Sequence, residues 1–98
     1  MNDSEIYNLV IKLFEDYLKG TVKPKEFIER YHSIIIGEKF PWDSENPNIQ
    51  TLDDFHDELS LFVENPEWRK EHTSYYGEPE LRKKVENFLE FLKRIRGS

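Results

Sequence analysis

Residues 6–20 read IYNLVIKLFEDYLKG, and the fold follows from how their apolar letters are spaced. Ile6, Leu9, Val10, Leu13, Phe14, Tyr17 and Leu18 recur at alternating steps of three and one, which draws a single apolar stripe down a helix. Asp3 or Ser4 stands where a cap is wanted, and Gly20 supplies the left-handed residue that ends such a helix. Pro24, with its fixed φ and missing donor, suits the first turn of a second helix. That helix turns Phe27, Ile28, Tyr31, Ile34 and Ile35 inward and Glu26, Glu29 and Arg30 outward, and Gly37 marks its end. Helices joined so closely are expected to lie antiparallel.

Further along, the period fails from residue 38 to residue 50, where Pro41, Asn46, Pro47 and Asn48 punctuate a loop whose Phe40 and Trp42 are expected to tuck against the helices. Thr51 and Asp54 resemble a capping pair for a third helix, with Leu52, Phe55, Leu59, Phe62 and Val63 as its buried face and Asn65-Pro66 as its stop. A polar, aromatic connection then leads to Pro79 and a fourth helix carrying Leu81, Val85, Phe88, Leu89, Leu92 and Ile95 inward. No segment alternates as a half-buried strand does, although Ile34, Ile35 and Ile36 form a β-branched run at the end of the second helix. The expectation is an all-α chain, an antiparallel four-helix bundle occupying residues 1–98 as one domain. Its two connections of roughly a dozen residues exceed what bundles usually need, and loops of that length tend to carry function.

Charge is distributed unevenly. Between Glu38 and Glu80 lie twelve of the twenty Asp and Glu but three of the fourteen Lys and Arg, a balance of −9 that leaves +3 for the rest. Such a patch repels nucleic acid and draws in a basic partner, which favours binding over catalysis. Cysteine is absent, which excludes a disulfide framework and thiolate metal ligation and suits a reducing compartment. The first twenty residues alternate charged with apolar side chains, unlike a signal peptide, and no apolar run reaches membrane-spanning length; a cytoplasmic protein without membrane contact is expected.

On the third helix, Asp53, Asp54, Asp57, Glu58 and Glu64 fall away from the apolar stripe, and Leu61 lies among them as an apolar spot ringed by carboxylates. A solvated helix side with one stray leucine gives the same pattern. Glu67, Trp68, Glu71, Tyr75 and Tyr76 come next, mixing acid with aromatic anchors of the kind that dominate protein interfaces. Covering the ends of a short core is the competing use for those aromatics, and of the adjacent Tyr75 and Tyr76 at least one should remain accessible. His32, His56 and His72 stand at no ligand spacing, and no nucleophile elbow, glycine loop or carboxylate dyad marks an active site; neither metal, cofactor nor enzymatic activity is expected. Arg82, Lys83, Lys84, Lys93, Arg94 and Arg96 make the fourth helix cationic, which keeps open an adaptor that binds nucleic acid through it, against a pI near 5.1.

The run Leu13-Phe14-Glu15-Asp16-Tyr17-Leu18-Lys19-Gly20 with Lys25-Glu26-Phe27-Ile28-Glu29-Arg30-Tyr31 resembles the first two helices of colicin D immunity proteins. Leu59, Phe62, Asn65-Pro66, Arg69, Tyr75 or Tyr76, and Leu81-Arg82 with Val85 and Leu89 after them stand in a similar order and spacing, so the likeness covers nearly the whole chain outside residues 40–50. The resemblance implies a four-helix inhibitor that binds one-to-one to the basic nuclease domain of a bacterial toxin cleaving transfer RNA, in a colicin or contact-dependent inhibition system. It implies that carboxylates, here Asp53, Asp54, Asp57, Glu58 and Glu64 with Leu61, Trp68 and Tyr76 as anchors, take the place of the substrate's phosphates. Immunity to a DNA-cleaving bacteriocin is a related alternative, since such inhibitors use carboxylates and a tyrosine pair similar to Tyr75-Tyr76.

Overall fold

Four of the five prolines begin helices, because the ring presets a helical φ where the missing N–H is not needed. The computed structural model describes residues 3–37, 40–63, 65–71 and 75–97. Among the described residues five helices succeed one another: α1 Asp3–Leu18, α2 Pro24–Ile36, α3 Pro47–Leu59, α4 Pro66–Arg69 and α5 Glu78–Arg96. The chain is all-α; the described residues contain no strand, only an isolated bridge between Phe62 and Tyr76.

At the centre lies α1. Ile6, Tyr7, Val10, Ile11, Leu13, Phe14 and Tyr17 are all buried, a wider band than one stripe, because α2 and α5 both pack against this helix. Tyr7 and Ile11 therefore belong to the core, whereas Leu9, expected inside, is 41% exposed. Gly20 adopts φ +85, the left-handed conformation its position calls for, and the amides of Gly20 and Thr21 bond the carbonyls of Tyr17 and Asp16 to close the helix. Helix α5 runs antiparallel to α1: Arg82, at its start, donates to the Leu18 carbonyl at 2.7 Å, while Arg96, at its end, reaches Asn8 at 3.3 Å. The Phe14 ring meets Phe27, Tyr31, Phe55 and Phe88, with centroids 5.2 to 5.8 Å away, and so touches three other helices at once.

Two boundaries differ from expectation. Helix α3 starts at Pro47, four residues before Thr51, because Asn46 is its cap: the Asn46 side-chain oxygen accepts from the Asn48 amide at 3.0 Å. The Thr51 hydroxyl instead donates back to the Pro47 carbonyl. The Asn46 amide group also donates to Asp3 at 2.9 Å and to the Tyr7 hydroxyl at 2.8 Å, fastening the start of α3 to the start of α1. Asn46→Ala removes cap and tether together and is expected to lower stability by about 1–2 kcal/mol, read from denaturant midpoints at constant m.

Helix α3 also ends early, at Leu59. Phe62 and Val63 leave the helix because residues 61 and 63 find other partners: the Val63 amide bonds the Tyr76 carbonyl at 2.9 Å, and the Tyr76 amide bonds the Leu61 carbonyl at 3.2 Å. Of the two loop aromatics expected to tuck in, Phe40 is buried, while Trp42 leans edge-on against it and stays 55% exposed.

Candidate functional site

The outward side of α3 carries Asp54, Asp57 and Glu58, all exposed, with Asp53 half-exposed at its margin. Gln50 donates to Asp54 at 3.1 Å and lies 3.5 Å from Asp53, so both carboxylates are partly ordered from within the helix. Among the described residues no ion pair reaches any of these four acids, although Lys12–Asp16, Arg30–Glu26, Lys70–Glu67, Arg82–Glu86 and Lys93–Glu15 are paired elsewhere. Asp57 and Glu58 sit in the last turn of α3, where the carbonyl ends of the helix dipole oppose negative charge. The fold itself gains nothing from them there.

After α3 in the chain comes α4, a single turn within a stretch whose sequence reads as mere connection. Asn65 caps it by accepting from the Glu67 amide at 2.9 Å, and Pro66 takes the first helical position. The pattern repeats Asn46-Pro47, so the signal was present twice: an Asn-Pro pair reads as a helix start as readily as a stop. On α4, Trp68 is 63% exposed and Glu67 faces solvent in reach of Lys70 at 3.4 Å, and Glu71, just past the helix, is exposed as well. Trp68 forms one wall of a groove of about 500 Å³, mostly apolar, whose other walls include Lys25, Ile28 and Glu29 of α2 and Leu59, Ser60, Phe62 and Asn65. Lys25, Ile28 and Phe62 are not among the expected contact residues, because only the packing of α2 beside α4 brings them together.

Two expected contact residues are corrected. Leu61 lies beyond the helix and packs half-buried on the core, since α3 has already ended, so no apolar spot is ringed by acids. Tyr76 is 3% exposed and its hydroxyl donates to the Glu58 carbonyl at 2.8 Å, which makes it a core residue and not an anchor. Tyr75, half-buried, is the more accessible of the adjacent pair, as the sequence led one to expect of at least one of them. Glu64 lies outside the described residues.

Burial marks three tyrosines. It pushes the Tyr17 and Tyr76 phenols up to about 12, helped at Tyr17 by Glu78 and at Tyr76 by Glu58, and it holds Tyr31 well above the ordinary phenol range with Asp53 adding to the effect. Because the folded phenols ionise later than the unfolded value of 10.0, their contribution is present below that pH and is lost as pH climbs toward about 12. The tyrosinate absorbance of Tyr17, Tyr31 and Tyr76 should therefore rise late and in step with loss of helical circular dichroism; early, non-cooperative ionisation of these three would contradict this burial.

Sequence spacing holds no hint of one further contact: His32 of α2 and His56 of α3, 24 positions apart, meet with Nδ1 and Nε2 at 2.6 Å. On α5 the cations are largely occupied with structure. Arg82 serves Leu18 and Glu86, Lys93 pairs with Glu15, and Lys84 lies over the Tyr76 ring at 5.3 Å. No described helix is long and apolar enough to cross a membrane.

The chain matches no family model, no curated protein and no solved structure.

Proposed function

We propose that this chain is an immunity protein that binds the basic nuclease domain of a transfer-RNA-cleaving toxin one-to-one and covers its active site with carboxylates. The observation that carries the reading is the set Asp54, Asp57 and Glu58: exposed, unpaired among the described residues, and two of them at the helix end where charge of that sign is unfavourable. Carboxylates left free of internal cations are available to an external one, and bonds to Lys or Arg across an interface are charge-assisted and strong. The groove beside Trp68 adds an exposed aromatic flanked by Glu67 and Glu71, the residue type that anchors interfaces.

The proposed architecture is the antiparallel four-helix bundle of α1, α2, α3 and α5, with α4 as an excursion that enlarges the binding face. The proposed interface comprises Asp54, Asp57, Glu58, Glu67, Trp68 and Glu71, with Asp53 at its margin. The proposed location is the producer's cytoplasm, where a nuclease toxin must be silenced before it meets RNA. Long-range attraction from the −9 segment accelerates that encounter. Two observations weigh against the other readings. Inhibition of a DNA-cleaving toxin through a tyrosine pair is disfavoured by burial of Tyr76, and nucleic-acid binding through α5 by the engagement of Arg82 and Lys93 with α1.

A pull-down with the tagged chain from its native host tests the reading. The expected catch is a basic nuclease domain whose cleavage of transfer RNA stops in a one-to-one complex. Recovery of nucleic acid, or of a partner without nuclease activity, would overturn it.

A further inference from the structure

We propose that His32 and His56 form a two-histidine binding site for a borderline transition-metal dication such as Zn²⁺, bridging α2 and α3. Such a site stands whether or not the chain binds a toxin. His32 Nδ1 and His56 Nε2 point at one another at 2.6 Å, with ring centroids 4.7 Å apart and planes inclined by 34°. Both rings are accessible, His32 exposed and His56 half-exposed. In the metal-free state this contact is a hydrogen bond, one nitrogen holding the proton and the other the lone pair.

Metal entry needs both lone pairs. The proton between the two nitrogens leaves to solvent and the ring that held it is reprotonated on its other nitrogen, so two neutral imidazoles remain and the net charge changes only by that of the ion. With Zn–N bonds of about 2.0–2.1 Å in tetrahedral geometry, the two nitrogens must separate to roughly 3.3 Å. That opening of less than an ångström is within reach of small rotations of two surface rings.

The helices beneath them are held in place. Tyr31, next to His32 and fully buried, donates its hydroxyl to the Leu52 carbonyl at 2.5 Å, one turn from His56, and the Tyr31 and His56 rings lie 6.3 Å apart. The site is thus pre-positioned by the core instead of assembled by the metal. Among the described residues no group of three His, Cys, Asp or Glu is arranged to hold a metal, so the remaining coordination positions go to water. Two imidazoles without a carboxylate cage select Zn²⁺, Cu²⁺ or Ni²⁺ over Mg²⁺ and Ca²⁺.

The test is a titration of the full chain with zinc chloride, and separately with magnesium chloride, monitored through the ring ¹⁵N resonances of the three histidines. The expected result is that His32 and His56 shift together and saturate at one equivalent of zinc, that magnesium moves neither, and that Tm rises with zinc. His32→Ala and His56→Ala are each expected to weaken zinc affinity tenfold or more, while His72→Ala leaves it unchanged. His32 is exposed, so that variant keeps its fold, which circular dichroism verifies. Zinc binding that survives in the His32→Ala, His56→Ala double variant, or the absence of any zinc-dependent shift at His32 and His56 in the unaltered chain, would overturn the proposal.

Discussion

Phe14→Ala is expected to lower the free energy of unfolding by about 3–5 kcal/mol, a large part of what a domain of this size possesses. Phe14 is fully buried, and its ring meets Phe27 and Tyr31 from α2, Phe55 from α3 and Phe88 from α5. Those partners cannot all close on the space left behind, because each is fixed by other contacts. Phe55 and Phe88 are stacked on one another at 4.3 Å and 16°, and Phe27 is held against Tyr17 at 4.8 Å. Truncation therefore leaves a cavity at the point where helices meet, and the cavity adds to the lost transfer energy. At about 4–8 °C per kcal/mol for a domain near this length, Tm should fall by roughly 15–30 °C in thermal circular dichroism. Phe14→Leu, which refills most of the volume, should recover more than half of the loss. A loss below about 1 kcal/mol for the alanine variant would mean that the aromatic cluster repacks and is not what joins the helices.

The second large effect is on binding. Asp54→Lys with Asp57→Lys is expected to slow association with the proposed nuclease partner about ten- to a hundredfold at low salt, because the reversal turns attraction into repulsion in the middle of the acidic face. The deficit should shrink as ionic strength rises and screening shortens the reach of both charges. Stability should be unchanged or slightly improved, since Asp57 lies in the last turn of α3 and a lysine there suits the helix dipole. Stopped-flow association across a salt series, with thermal melts of the same variant, separates the two outcomes. Association rates equal to those of the unaltered chain would remove this face from the interface.

Periodicity alone is enough to read the four longer helices, since Phe14, Phe27, Tyr31, Phe55, Leu81, Val85 and Leu92 are where their spacing puts them, inside, whereas the single turn of α4 has no period to show. Boundaries are less legible where tertiary contacts decide them. Past Leu59 the chain tightens into turns at Ser60, Leu61 and Phe62, and the backbone of residues 61–63 then pairs with Tyr76, thirteen positions beyond Val63, which no local pattern announces. Leu61 and Tyr76 change role for the same reason. The exposed acids are legible because charge on a helix surface depends mainly on helical phase, whereas the groove at Trp68 and the meeting of His32 with His56 depend on which helices become neighbours. Asn46-Pro47 and Asn65-Pro66 show a subtler difficulty: the same dipeptide punctuates a loop and opens a helix, and the residues after the proline decide between the two.

The bridge between residues 61–63 and Tyr76 has an evolutionary consequence. It ties the neck of an excursion of twelve residues, so the segment bearing Trp68 is stitched to the core at its ends. Its exposed letters, Glu67, Trp68 and Glu71, can be rewritten while the aromatic centre beneath goes on folding as before. The chain is thus a stable chassis with an interchangeable fingertip, whose surface chemistry can change without disturbing what holds it up.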